Sequence, residues 1–321
     1  MRKTGKRFKR NWRKLRQYKK IMNEKEEFIK YVLKAMGYNE AYDNNIVGEG
    51  FNGEVLKISN ELCLKVCENK QLPKIPLSFK KCKSLCIPEK VFLSNSNKYI
   101  GTIQKFYNFG SLQLLIKRQK KLPQYQTKKV LFDILIGLNE IHTNGFLHRD
   151  FYPGNIMLNK NDKEISAAII DFDEMQPITS ETKACFRYNG YQAPEIVFSN
   201  SQYDNKSEMF AFGVIAWELI FGNCPFGGYN FFGKVIEKSW DEYLNNELYY
   251  NNEVKNALKS LPLSLFNINK DNNEINELLY LILNPDRGKR ISAEQALHHH
   301  FFKECYEKTN EKIDKLDKER E

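Results

Sequence analysis

A chain of 321 residues with 41% hydrophobic and 13% aromatic side chains can bury a substantial core, so a globular protein of one large or two modest domains is expected. No run reaches the ~18 apolar residues a bilayer span needs. The basic amino terminus has no apolar block behind it, so neither a signal peptide nor a transmembrane segment is expected. Seven cysteines, an odd number without small-domain spacing, point to a reducing setting, intracellular and cytoplasmic or nuclear, rather than a disulfide framework. The pairs Cys63/Cys67 and Cys82/Cys86 read as free thiols rather than a zinc site, because the first pair straddles Lys65.

The net charge of +10 belongs to one place. Residues 1–23 hold eleven Lys and Arg and no acid, while the remainder carries 39 cations against 40 acids. Within this arm Phe8, Trp12, Leu15 and Met22 recur at helical spacing, and Glu24 to Met36 continues with Phe28, Val32 and Met36 until Gly37. A basic amphipathic helix suits an acidic partner, an anionic membrane or a nucleic acid. The same pattern equally describes a helix packed on the following domain with its charges in water, and a basic sorting signal is a third reading.

Val47 then leads into Gly48-Glu49-Gly50-Phe51-Asn52-Gly53-Glu54-Val55. Three glycines at this spacing let a hairpin backbone lie close over phosphates with its N–H groups turned toward them. A dinucleotide fold would set such a triad between a strand and a helix, yet Glu54–Ser59 and Leu62–Cys67 both read as strands. Alternation along the second of these puts Cys63, Lys65 and Cys67 on one face. Residues 99–112 read as a strand and a connector, and a helix is predicted from Tyr125 to Asn144 with Val130, Ile134, Leu138 and Ile141 on its inner face and Gly145 ending it.

That helix delivers the chain to His148-Arg149-Asp150-Phe151-Tyr152-Pro153-Gly154-Asn155. An Asp and an Asn five positions apart on a turn made by Pro153 and Gly154 can converge on one centre. The Asp would orient a hydroxyl proton, and the Asn oxygen would hold a hard cation beside phosphate. Thirteen residues after Asn155, the buried run Ala168-Ile169-Ile170 opens into Asp171-Phe172-Asp173. Three adjacent histidines near the end, His298 to His300, read as a helical surface feature, since consecutive helical residues point in different directions.

Six motifs in order, the glycine triad, Lys65, the Asp150/Asn155 loop, Asp171, Ala193-Pro194-Glu195 and Arg290, resemble those of eukaryotic-type protein kinases over roughly residues 42–302. The resemblance implies an α+β, two-lobed fold with a small antiparallel sheet lobe and a larger helical lobe, using ATP and Mg2+ to phosphorylate a protein substrate. It implies these boundaries: a basic extension over 1–40, a kinase domain over 41–302 with lobes of about 41–106 and 110–302, and a charged tail over 303–321. Catalysis would rest on Asp150, Lys65 and Asn155, and the metal on Asn155 and Asp171. Val47, Gly48, Gly50, Gly53, Val55, Cys63, Lys65, Gln104 and Met157 would hold ATP. Arg149, Thr179, Ser180 and Thr182 would belong to the activation segment. Glu195 would pair with Arg290, and Glu208 would stand where the family anchors its catalytic loop with an aspartate.

Four departures temper this picture. The family's helix carrying a glutamate for the lysine is not found: no acid occurs between Glu68 and Glu89, Glu68 stands too near, Glu89 is left as the candidate, and Phe79–Cys86 reads as a short or irregular helix. Asp173 replaces a glycine, Glu208 an aspartate, and Tyr152 the lysine of serine/threonine members. The closing motifs favour a serine/threonine kinase, with a pseudokinase scaffold as the alternative.

Overall fold

The computed structural model describes residues 24–38, 46–50, 53–68, 75–162, 164–179, 182, 191–193, 195–196, 202–222, 273–284 and 286–309. The basic arm, Ser180, Pro194, the polar stretch 223–272 and the end of the tail lie outside them. The chain divides into two compact units, Met1–Leu72 with Ile87–Phe106, and Pro73–Cys86 with Tyr107–Glu321.

The first unit begins with α1 over 24–35. Five strands follow: β1 (Ile46–Gly50), β2 (Gly53–Lys57), β3 (Leu62–Glu68), β4 (Lys90–Leu93) and β5 (Tyr99–Lys105). They form one antiparallel sheet in the order β1-β2-β3-β5-β4. Alternation sends Leu56, Leu64, Val66, Tyr99 and Ile103 to one face, where Phe28, Ile29, Val32 and Leu33 of α1 cover them. Each such buried side chain contributes about 1.5–3 kcal/mol. Gly101 makes the close approach possible, since a Cβ there would stand 3.2 Å from both the Phe28 ring and Leu64. Lys25 pairs with Glu54, and Ser96 donates to Glu24. Of the readings open for this segment, packing on the domain is the one realised by residues 24–35.

The second unit holds β6 (Gly110–Ser111), α2 (Leu112–Lys117), α3 (Gln124–Thr143), β7 (Phe146–Leu147), β8 (Ile156–Lys160), β9 (Ile165–Ile169) and β10 (Gln176–Pro177). Then come α4 (Asn205–Phe221), α5 (Asn273–Ile282), α6 (Ala293–Leu297) and α7 over 303–309. Helix α3 begins and ends within a residue of the expected bounds. Helix α4 is buried on all sides from Ser207 to Leu219 and therefore central, with Asp204 and Ser207 forming a capping box and Gly222 closing it at φ 77°. Gly213 lets α5 approach α4, because a Cβ there would meet Leu283 at 2.6 Å.

The stretch 75–86, which the sequence reading places in the small lobe, belongs with the second unit. It forms only a 3-10 turn, Leu77–Lys81, without an acid. Beyond the turn it hydrogen-bonds along β9, Cys86 N–H to Ile169 at 2.8 Å and Ile169 N–H to Ser84 at 2.9 Å. Gly137 on α3 makes room for it, since a Cβ would lie 2.7 Å from the Ser84 carbonyl. The chain also leaves helical geometry at the histidine run. His298 caps α6, and His299 is extended at ψ 142° before a 3-10 turn, His300–Phe302. The expectation of three histidines on one helix is thereby corrected.

Candidate active site

In the first unit the glycine hairpin is a strand-turn-strand element, with Gly48 opposite Val55 and Gly50 opposite Gly53. Gly53 has φ 127°, and any Cβ on it would lie 2.1 Å from the Val66 carbonyl, so only glycine permits this hairpin to sit on β3. Register puts Val55, Lys65 and Thr102 side by side across β2, β3 and β5, hence on one face of the sheet. Cys63 shares that face, its thiol 3.6 Å from the carbonyls of Gln104 and Lys105. Val47 is half exposed at the hairpin's outer strand. Glu89, the nearest later acid, is exposed, its N–H bonded to Ile103.

The second unit builds its centre from the turn after β7. His148, fully buried, donates from Nε2 to the Ile170 carbonyl at 2.9 Å and accepts from the Asp150 N–H at Nδ1, which defines its neutral tautomer. Asn155 Nδ2 donates to both the Asp150 carbonyl and Asp150 Oδ2, each at 2.8 Å. The amide nitrogen is thus committed to Asp150, which makes Oδ1 the oxygen of Asn155 that faces other ligands. The Ile170 N–H donates to the Asn155 carbonyl at 2.9 Å, setting Asp171 beside this turn. Gly154 lies under the Tyr152 ring, whose atoms would stand 2.3 Å from a Cβ. Met157 packs with Cys86, Tyr107, Ala168 and Ile170.

Two residues in this centre adopt left-handed backbone angles without being glycine, Arg149 and Asp171, each at φ 64°. Such angles cost on the order of 1–3 kcal/mol and gather at functional sites. Asp173 has no such angle, so the exchanged position does not demand a glycine's left-handed backbone. Phe172 is buried against His148 and Phe79, with ring centres 5.5 and 6.4 Å away.

Glu208 holds the strained turn in place. Its Oε1 accepts from the Arg149 N–H at 2.7 Å and from the Tyr203 hydroxyl at 3.3 Å, and its Oε2 meets His142 Nε2 at 2.8 Å. Burial, reinforced by the Glu208 carboxylate, keeps the Tyr203 phenol well above its ordinary pKa and therefore a donor. The longer side chain is accommodated because three partners are spaced for it. Shortening it to aspartate, Glu208→Asp, is expected to lower turnover by about 10²-fold, as a displacement near 1 Å does, and to lower the melting temperature as well, because a fully buried carboxylate is withdrawn from its partners. Parallel assays of turnover and thermal unfolding check this. His142 and Tyr203 were not foreseen, since a histidine in the last turn of a helix carries no local signal of its partner.

Of the residues expected in an activation segment, Thr182 is buried, its hydroxyl bonded to Thr179 and to the Pro177 carbonyl, whereas Thr179 is exposed. The Arg149 guanidinium donates to the Glu174 carbonyl. Farther along, Arg290 makes the foreseen bidentate pair with Glu195 at 2.9 and 3.0 Å. Tyr191 donates to Glu218 at 2.8 Å. Burial raises the Glu218 pKa from 4.5 to about 7 in spite of that bond. The unfolded chain then releases this proton near pH 4.5 while the folded chain keeps it, so the contribution of Glu218 to folding stability is fully present below 4.5 and is lost as pH rises toward 7. The slope contributed is up to about 1.4 kcal/mol per pH unit. Denaturant unfolding at several pH values should show this slope in the wild type and not in Glu218→Gln.

The protein kinase domain model matches residues 43–302. The chain belongs to the protein kinase family. Among curated relatives this kinase is 30% identical over 207 residues to mitogen-activated protein kinase p38b of Drosophila melanogaster, covering 61% of this chain and 55% of that one. It is 27% identical over 233 residues to serine/threonine-protein kinase ppk23 of Schizosaccharomyces pombe, covering 67% and 56%. The chain thus spans about half the length of the curated relatives it matches. Among solved structures, the Rad53 kinase domain and SCD2 in complex with AMPPNP superposes with a TM-score of 0.51 at 18% identity, covering 75% of this kinase and 82% of that chain. The fold is the two-lobed kinase fold. Among the described residues, no helix is long and apolar enough to cross a membrane.

Proposed function

We propose that this kinase transfers the γ-phosphate of Mg-ATP to a hydroxyl of a protein substrate, serine or threonine rather than tyrosine. The observation that carries the reading is the Asp150–Asn155 turn, with its polar atoms committed by hydrogen bonds and its strained backbone held by Glu208. Asp150 Oδ1 is the atom assigned to orient the acceptor hydroxyl and take its proton, while Oδ2 is held by Asn155. In the first unit the glycine hairpin, Cys63, Lys65 and Gln104 are assigned to the nucleotide, with Val47 and Val55 as apolar contacts to the base. The donor set formed by the Asn155 amide oxygen and the Asp171 carboxylate fits a hard, oxygen-loving cation such as Mg2+. When bound, that ion supplies charge neutralisation at the phosphates. Kinase catalysis of this type is mostly positioning and electrostatic stabilisation.

The hydroxyl class follows the curated serine/threonine relative and the closing motifs rather than the catalytic loop, where Tyr152 replaces lysine. A second reading, a nucleotide-binding pseudokinase, is favoured by one observation: the 3-10 turn Leu77–Lys81 carries no acid. Incubation with γ-labelled Mg-ATP and generic acceptor proteins, followed by phosphoamino-acid analysis, separates them. Phosphoserine or phosphothreonine is expected. Phosphotyrosine alone would overturn the class assigned, and nucleotide binding without transfer would establish the pseudokinase.

A further inference from the structure

Away from the phosphotransfer centre, α5 and the corner after α6 bring together three side chains of metal-ligating type from two segments of the chain. One ligand atom each from Glu277, His299 and His300 lies within 4.8 Å of the other two. His300 Nε2 and Glu277 Oε2 are 3.6 Å apart, and the two imidazole rings stack with centres 4.2 Å apart at 31°. The break in helical geometry at His299 is what puts consecutive histidines side by side.

A surface ion pair between Glu277 and His300 leaves the third group unexplained. His299 Nε2 is buried and makes no hydrogen bond among the described residues. A buried polar nitrogen without a partner is costly, and it stands beside an imidazole and a carboxylate. We propose that Glu277, His299 and His300 bind a divalent ion of the zinc class, which ties α5 to the corner after α6.

The chemistry of the set selects the ion. Two imidazoles and one carboxylate suit Zn2+ and its first-row neighbours, whereas Mg2+ and Ca2+ prefer all-oxygen ligands. Tetrahedral zinc with bonds of about 2.0–2.2 Å holds its ligand atoms roughly 3.4 Å apart. The Glu277–His300 separation is already close to this, and Glu277 and His300 are exposed enough to adjust. Three protein ligands leave the fourth position to water. His299 Nδ1 accepts the Phe301 N–H at 3.2 Å, so its neutral ring carries the proton on Nε2. Coordination through Nε2 moves that proton to Nδ1 and gives up this one long bond, with no net release of a proton from His299. Glu274, one turn earlier on α5, adds a further acid to the helix.

The test uses the untagged full-length chain, stripped of metal by chelator and titrated with Zn2+ in a calorimeter, with Co2+ as a spectroscopic stand-in. One zinc per chain is expected, with a raised melting temperature that Mg2+ does not reproduce. The Co2+ form should show visible ligand-field bands without thiolate charge transfer. In the Glu277→Gln/His300→Ala double variant the affinity should fall by at least about tenfold, while the melting temperature of the metal-free protein stays unchanged because both side chains lie at the surface. Absence of binding to the wild type would overturn the proposal. So would undiminished binding by the double variant, which would place the zinc elsewhere, or a thiolate charge-transfer band, which would assign it to cysteines.

Discussion

Asp150→Asn will reduce γ-phosphate transfer by about 10²- to 10⁴-fold, the usual cost of losing a positioned general base, equivalent to roughly 3–5 kcal/mol of barrier. The substitution is nearly isosteric and keeps an oxygen that can accept from Asn155 Nδ2, so the turn should retain its shape. Its backbone constraints, from Glu208 to the Arg149 N–H and from His148 to the Asp150 N–H, do not involve the altered atoms. Nucleotide should therefore still raise the melting temperature of the variant. Initial-rate assays of labelled phosphate transfer alongside thermal unfolding read both quantities. Transfer undiminished in Asp150→Asn would remove Asp150 from catalysis.

Arg290→Ala carries the largest expected effect on folding. The guanidinium is fully buried and makes two bonds to Glu195, one to the Asn284 carbonyl and one to the Lys206 carbonyl, with the Phe210 ring 5.0 Å from its centre. Removing one member of a buried pair strands the other charge without its counterion, a cost of about 3–5 kcal/mol. Glu195 would retain only the Ser207 hydroxyl among the bonds described. Arg290→Lys should recover little, because an ammonium cannot reproduce the planar fork. Denaturant unfolding of the three proteins gives the comparison, and a loss under 1 kcal/mol for Arg290→Ala would show that the pair contributes little to stability.

Much of the site could be read locally. Glycine spacing between two alternating apolar runs specifies a strand hairpin, and Gly53 meets the demand with a positive φ and a contact no side chain would fit. Apolar residues at helical spacing bounded by Gly145 gave α3 to within a residue. The order of Asp150, Asn155 and Asp171 was visible for the same reason, since the turn and the β8–β9 pair that join them are short-range.

Partner choice across the chain was not visible. Nothing near Phe28 or Val32 says that their apolar stripe covers Leu64 and Tyr99 rather than a membrane, because periodicity defines a face and not what it meets. How the chain accommodates Asp173 and Glu208 was likewise a tertiary matter. Strain settled on Asp171 instead, and Tyr203, His142 and the Arg149 N–H surround a carboxylate one methylene longer. The histidine run misled because its helical spacing is broken where α6 ends, a boundary set by packing of Phe301 and Phe302 into the core.

By itself, then, the sequence determined the elements, the order of the phosphotransfer motifs and the residue types able to do that chemistry, since these follow from backbone periodicity and turn preferences acting over a few residues. Tertiary structure alone decided which face α1 covers, that 75–86 joins the second unit, how Glu208 is held and that Glu277 meets His299 and His300. Those outcomes depend on burial and close packing between segments far apart in the chain, whose free energy no local pattern encodes.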